Sequence, residues 1–201
     1  MLRDRVNQGI RLTPTWVIYG VGLVPGIAIF YLALTGGLGV DPVKRLEHEL
    51  GEFALRLVVF GLAITPLFKF LRINLIKFRR AIGILAFIYV TLHLLVWLVL
   101  DVQILSQIWA DILKRPYITI GMAAFLLMVP LAATSNNISV RKLGPRWKRL
   151  HQATYAVAIL GAVHFIMLTK GFQLEPVIYL CLVVVLLALR LVPHRKPASV
   201  V

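Results

Sequence analysis

Residues 80–100 read RAIGILAFIYVTLHLLVWLVL, and this stretch decides the fold. After Arg80 it runs twenty residues without a formal charge. A helix that crosses a bilayer needs about 20 mostly apolar residues. The apolar residues are continuous rather than alternating with polar ones. A strand of a closed barrel would alternate, so the backbone must satisfy itself within one helix. One imidazole, His93, interrupts the run.

The rest of the chain repeats the pattern. It has 201 residues, 60% of them hydrophobic, and a mean hydropathy of +0.87. Soluble domains hold roughly 45–50% apolar residues. Six spans are predicted, roughly 15–35, 50–70, 80–100, 116–134, 149–169 and 174–192. The expected fold is therefore all-α: one polytopic six-transmembrane-helix bundle, a single domain over residues 1–201 with no repeat or linker marking a second. The N-terminal MLRDRVNQGIRLTP is polar, so the first apolar run reads as a retained span rather than a cleaved leader. Cys181 is the single cysteine; it excludes an intramolecular disulfide and a thiolate-built zinc site.

Net charge is +14. On a soluble chain that would suggest nucleic acid. Here the basic residues flank apolar spans, so topology and anionic lipid headgroups account for them, and no nucleic-acid partner is expected. With the N-terminus inside, the inner segments hold Arg3, Arg5, Arg11, Lys69, Arg72, Lys77, Arg79, Arg80, Arg141, Lys142, Arg146, Lys148, Arg149, Arg190, Arg195 and Lys196. That is 16 cations, against 5 outside: Lys44, Arg45, Lys114, Arg115 and Lys170. Both termini are therefore expected in the cytoplasm. Pro116 suits a helix start. Pro25, Pro66 and Pro130 are expected to kink their spans, and Gly22 and Gly26 allow close helix approach. Trp16, Trp97 and Trp109 read as interface anchors.

Of five histidines, His194 lies in the polar tail and His48 in the outer loop KRLEHELGE. The other three lie in spans. His93 is 14 residues beyond Arg79, and His164 is 15 beyond Arg149. Both spans run outward, and at 1.5 Å per residue each imidazole is about 21–22 Å along its helix. The two rings are expected at one level, in the outer half of the bilayer. Ionisable residues inside a membrane are rare and usually functional. Two facing imidazoles without thiolates or carboxylates suit an iron porphyrin, which brings four equatorial nitrogens and needs only two axial ligands. A non-haem metal wants three or four protein ligands. The competing reading is a pair of polar side chains hydrogen-bonded between helices. A proton relay lacks an Asp or Glu in these two spans.

His151 sits thirteen residues before His164, about 19 Å along the axis. The equivalent positions around His93 are Arg80 and Ser106, neither a good haem ligand. His151 is thus expected to hold an inner haem with another axial partner or none, or to contact a flavin or quinone. Arg79, Arg80, Arg146 and Arg149 crowd the same inner face with Trp147. They read either as a topology signal or as an anionic pocket for flavin phosphate or haem propionates. Arg56, inside span two, either pairs with Glu52 at i, i+4, snorkels outward, or neutralises a propionate of the outer haem.

At these residues the sequence resembles the MsrQ family, formerly YedZ, within the ferric-reductase-like transmembrane domains. The supporting segments are GGLGVDPVK at 36–44, TPLFKF at 65–70, RRAIG at 79–83, TLHLL at 91–95, RPYITIG at 115–121, RKLGPRWKRLHQATY at 141–155 and VHF at 163–165. The family's ligand histidines fall on His93, His151 and His164. The resemblance implies a b-type haem and FMN. It also implies location in the bacterial inner membrane and electron delivery to a periplasmic molybdenum-containing methionine-sulfoxide reductase, the MsrP type, as a heterodimer that repairs oxidised proteins. The chain carries no catalytic triad, phosphate loop or nicotinamide fingerprint. It therefore reads as an electron-transfer subunit fed by quinol or by a cytoplasmic flavin reductase. The alternatives are another transmembrane reductase, such as a ferric reductase, and a non-redox transport or assembly subunit that binds no cofactor.

Overall fold

The structure, a computed structural model, describes residues 2–169 and 171–192. Lys170, His194, Arg195 and Lys196 lie outside them. Among the described residues all regular structure is helical: α1 Leu2–Leu12, α2 Thr15–Leu34, α3 Pro42–Pro66, α4 Arg79–Val96, α5 Leu105–Lys114, α6 Pro116–Ala133, α7 Asn137–Leu143, α8 Pro145–His151, α9 Ala153–Leu168 and α10 Leu174–Leu191. Six helical stretches are long and apolar enough to cross a membrane, with α8 and α9 together forming the fifth. This is a multi-pass membrane protein.

The span ends follow local chemistry. Span four begins at Pro116, whose absent N–H costs nothing at a first helical position. Span two begins at Pro42, eight residues before the expected start at 50. The Asp41 carboxylate accepts from Lys44 N–H at 3.2 Å, and Pro42 occupies the first turn, so the capping pair outweighs the polarity of KRLEHELGE. His48 consequently lies on a helix and not in a loop. Arg45 and Glu49 close an i, i+4 ion pair at 2.7 Å on the same segment. At its other end α3 passes through Pro66 into a π-helical turn, Leu67–Leu71, ending at left-handed Arg72 with φ 59°. Span three likewise ends in a π-helical turn, Trp97–Val102.

α3 packs most extensively on α4, and α6 on α9; α10 closes on α9 and α3, and α2 on α4 and α3. Two hairpin-like pairs thus face one another across a shared core. Leu50, Ala54 and Tyr89 are fully buried on one side, and Leu62, Ala158, Ala162 and Val183 on another. Small residues at Ala158 and Ala162 let α9 approach α3 and α10 closely, the form helix association takes when lipid supplies no hydrophobic drive.

The GLVPG segment of α2 shows why its glycines are there. Pro25 has no N–H, so the helix lacks the bond it would donate. One residue on, the Tyr89 hydroxyl reaches across from α4. It accepts from Gly26 N–H at 2.7 Å and donates to the Gly22 carbonyl at 2.7 Å. A β-carbon at Gly26 would stand 3.0 Å from that hydroxyl.

Candidate functional site

α3, α4, α6 and α9 enclose a cavity of about 360 Å³, within the range of roughly 300–1,000 Å³ for cofactor and ligand sites. Its walls are apolar: Leu55, Val58, Val90, Phe125, Met128 and Val157. Its polar end carries Lys44, Glu47, His48, Glu52, Asp101 and Arg115.

His93 from α4 and His164 from α9 both line it. Their ring centres are 6.3 Å apart, with planes at 81°. The depth argument from sequence therefore holds: counts of 14 and 15 residues from the inner arginines bring the two rings side by side. An imidazole nitrogen binds a first-row metal at about 2.0 Å, and its ring centre lies roughly 1.1 Å behind, so two rings on opposite sides of one ion sit about 6.2 Å apart. The observed separation fits one ion between them, as an axial pair on an iron porphyrin requires.

Each ring is oriented from behind. His93 Nδ1 lies 2.8 Å from the Glu47 carbonyl oxygen, and His164 Nδ1 lies 2.7 Å from that of Tyr117. A carbonyl only accepts, so Nδ1 of each ring carries the proton and donates. In the neutral ring that leaves Nε2 with a free lone pair, the state a metal ligand needs. Among the described residues no cluster of three or more His, Cys, Asp or Glu converges to hold a bare metal ion.

His151 lies at the other end of the fifth span. Its ring stacks on Trp147, centres 3.9 Å apart and planes at 24°. Its Nε2 is 3.0 Å from Thr134 Oγ1, and Trp147 Nε1–H donates to the Thr134 carbonyl at 2.9 Å. Arg79 and Arg80 are within electrostatic reach of the ring. Arg80 donates to Asn137 Oδ1 at 2.7 Å, while Arg146 and Arg149 are exposed on α8. Arg190 of α10 donates to Tyr155 Oη, one turn after His151, at 3.0 Å and to the Leu62 carbonyl at 2.8 Å. Its Nε is buried without a hydrogen-bond partner.

Arg56 is placed apart from the cavity. It pairs with the Glu52 carboxylate and donates to Tyr179 Oη at 3.0 Å, tying α3 to α10. The cations that line the polar end are Lys44 and Arg115, with the His48 imidazole beside them. Arg115 is held by Asp111 at 3.1 Å and by the Tyr117 hydroxyl at 3.3 Å.

A family model described as ferric reductase like transmembrane component matches residues 50–162. A relative from Agrobacterium fabrum, the protein-methionine-sulfoxide reductase heme-binding subunit MsrQ, is 53% identical over 178 residues, covering 88% of this chain and 83% of its own. The chain belongs to the MsrQ family. Proteins of the same name from Brucella anthropi and Brucella ovis are each 49% identical, over 92% and 91% of this chain and 86% of their own. No solved structure matches.

In this MsrQ family member, sequence reasoning found both facing histidines and missed the groups around them. Lys44 and Arg115 read as outer charges and as members of GGLGVDPVK and RPYITIG, with no contact to a cofactor assigned to either. Gly51 and Gly121, which back the two rings, drew no attention.

Proposed function

We propose that this chain is a membrane b-type cytochrome. In this reading it is the electron-transfer subunit of a protein-methionine-sulfoxide reductase system in the bacterial inner membrane, with both termini cytoplasmic and residues 1–201 forming one domain. The observation that carries the reading is the His93–His164 pair: ring centres 6.3 Å apart, with both Nδ1 atoms tied to backbone carbonyls. The relatives' names add that such chains are heme-binding subunits.

Bound haem would supply a one-electron carrier whose potential the axial ligands tune. The protein's part is to hold two neutral imidazoles with Nε2 inward, and to keep apolar walls around the plane. Cations at the polar end would meet the propionates. Lys44 and Arg115 fit that part better than Arg56, because they line the cavity and Arg56 does not.

Electrons would enter at the inner face near His151, from quinol or from a cytoplasmic flavin reductase. His151 and Trp147 offer a flat stacked surface there. Arg79, Arg80, Arg146 and Arg149 offer charge for a second haem's propionates or for FMN phosphate. Electrons would leave outside to a periplasmic molybdenum-containing partner of the MsrP type, assembled with this subunit as a heterodimer.

The test is a reduced-minus-oxidised spectrum of the purified chain with haem quantified per protein, repeated on His93→Ala, His164→Ala and His151→Ala. A Soret band lost from the first two and altered or retained in the third is expected. A purified chain without that band, or a His93→Ala variant with full haem, would overturn the reading.

A further inference from the structure

The two histidines are seated in the same way on different helices. His93 donates to the carbonyl of Glu47, and four residues after Glu47 stands Gly51. His164 donates to the carbonyl of Tyr117, and four residues after Tyr117 stands Gly121. A β-carbon on Gly51 would lie 2.9 Å from His93 Nδ1 and 3.1 Å from Cε1; one on Gly121 would lie 2.9 Å from both Cε1 and Nδ1 of His164.

Helix geometry explains the spacing. Each Cα–Cβ bond tilts toward the helix N-terminus, so a side chain covers the turn below its own Cα. The residue at i+4 therefore shields the carbonyl of residue i from the side. Glycine removes that shield. The exposed carbonyl keeps a second lone pair beyond its helical bond, and an imidazole from the facing helix can use it.

We propose that Gly51 and Gly121 are positioning residues. Each opens a backbone carbonyl to the facing histidine, and the pair fixes Nε2 of both rings toward one shared ion. The proposal rests on the haem reading for what the ion is, but its geometric part stands without haem. Two other span glycines differ: a β-carbon at Gly61 would meet only Ile82 at 3.7 Å, and one at Gly83 would meet nothing within 4 Å, while Gly22 and Gly26 are crowded by Leu85 and Tyr89 and by no histidine. Gly61 and Gly83 serve as controls.

The experiment uses the full chain in detergent, as Gly51→Ala, Gly121→Ala, Gly61→Ala and Gly83→Ala. Loss of a partner that orients a metal-binding histidine lowers metal affinity by about 10–100-fold. That loss in haem affinity is expected for Gly51→Ala and Gly121→Ala only. Because a donated Nδ1–H makes the imidazole a stronger donor, the haem that remains should show a raised midpoint potential and a changed axial-ligand signature in electron paramagnetic resonance. Haem content, potential and spectrum equal to the Gly83→Ala control would overturn the proposal.

A second readout needs no haem. In the apo chain labelled with nitrogen-15 histidine, His93 and His164, assigned by single substitution, should show the Nδ1-protonated tautomer. Gly51→Ala should disturb His93 alone, and Gly121→Ala His164 alone. If the wild-type chain takes up no haem the cytochrome reading falls, and these spectra still decide the seating. Unchanged tautomer signals in both variants would overturn it.

Discussion

Removing one oxygen atom, as Tyr89→Phe, should loosen the joint between α2 and α4. Tyr89 is fully buried at 1% exposure, and its ring packs against Phe53 with centres 4.6 Å apart. Phenylalanine keeps that contact, so the substitution isolates the hydroxyl. The hydroxyl makes two 2.7 Å bonds, one from Gly26 N–H and one to the Gly22 carbonyl. A hydrogen bond between transmembrane helices contributes about 0.6 kcal/mol on average and up to about 1.7. Two of them give about 1–3 kcal/mol. Reversible unfolding in mixed detergent and SDS, followed by far-ultraviolet circular dichroism, measures it. A Tyr89→Phe variant within about 0.3 kcal/mol of wild type would refute the idea that the phenol ties α4 to the backbone of α2. Gly26→Ala, which sets a β-carbon 3.0 Å from the hydroxyl, should be non-additive with Tyr89→Phe, since the crowded atom is the one removed.

Arg115→Gln or Lys44→Gln should weaken haem binding in a titration of the apo chain, about tenfold if one charge-assisted bond to a propionate is worth roughly 1.5 kcal/mol. Arg56→Gln should leave haem affinity near wild type and cost no more than about 1 kcal/mol of stability, because its side chain is 50% exposed and its ion pair partly solvated. Arg190→Met removes bonds to Leu62 and Tyr155 from a half-buried guanidinium and should lower unfolding stability by about 1–3 kcal/mol. For orientation, a phosphatase reporter fused in the loop at residues 171–173 should be active and one fused after Leu191 inactive; the reverse pattern would invert the topology read from the basic residues.

How far the sequence carried these conclusions depended on which physics each feature obeys. Rise per residue is constant along a helix, so counting from Arg79 and Arg149 was enough to level His93 with His164. Spans one, three, four and six began and ended close to where hydropathy put them, since lipid selects for apolar length. Span two did not, because its start is set by the Asp41–Pro42 cap, a local signal that hydropathy averages away. The partner of Arg56 was legible in one half: Glu52 is one turn earlier on the same helix, whereas Tyr179 comes from α10. The same limit hid Arg115, Lys44 and the two glycines. Their roles come from which helix lies beside which, and no periodicity within a single span encodes that.

The manner in which the histidines are held also bears on what the site can carry. A charge buried in a bilayer is costly, and a buried carboxylate beside a histidine would invite a proton as readily as a metal. Here both imidazoles are oriented by backbone carbonyls, and α4 and α9 contain no Asp or Glu. Acidic groups appear only at the polar end, as Glu47, Glu52 and Asp101. The groups that orient the two imidazoles are therefore uncharged and belong to helix backbone. A site meant to pass protons needs titratable neighbours in series. On the cytochrome reading proposed above, a site that passes electrons needs ligands that keep their positions in both oxidation states, and two imidazoles held by backbone carbonyls would supply them.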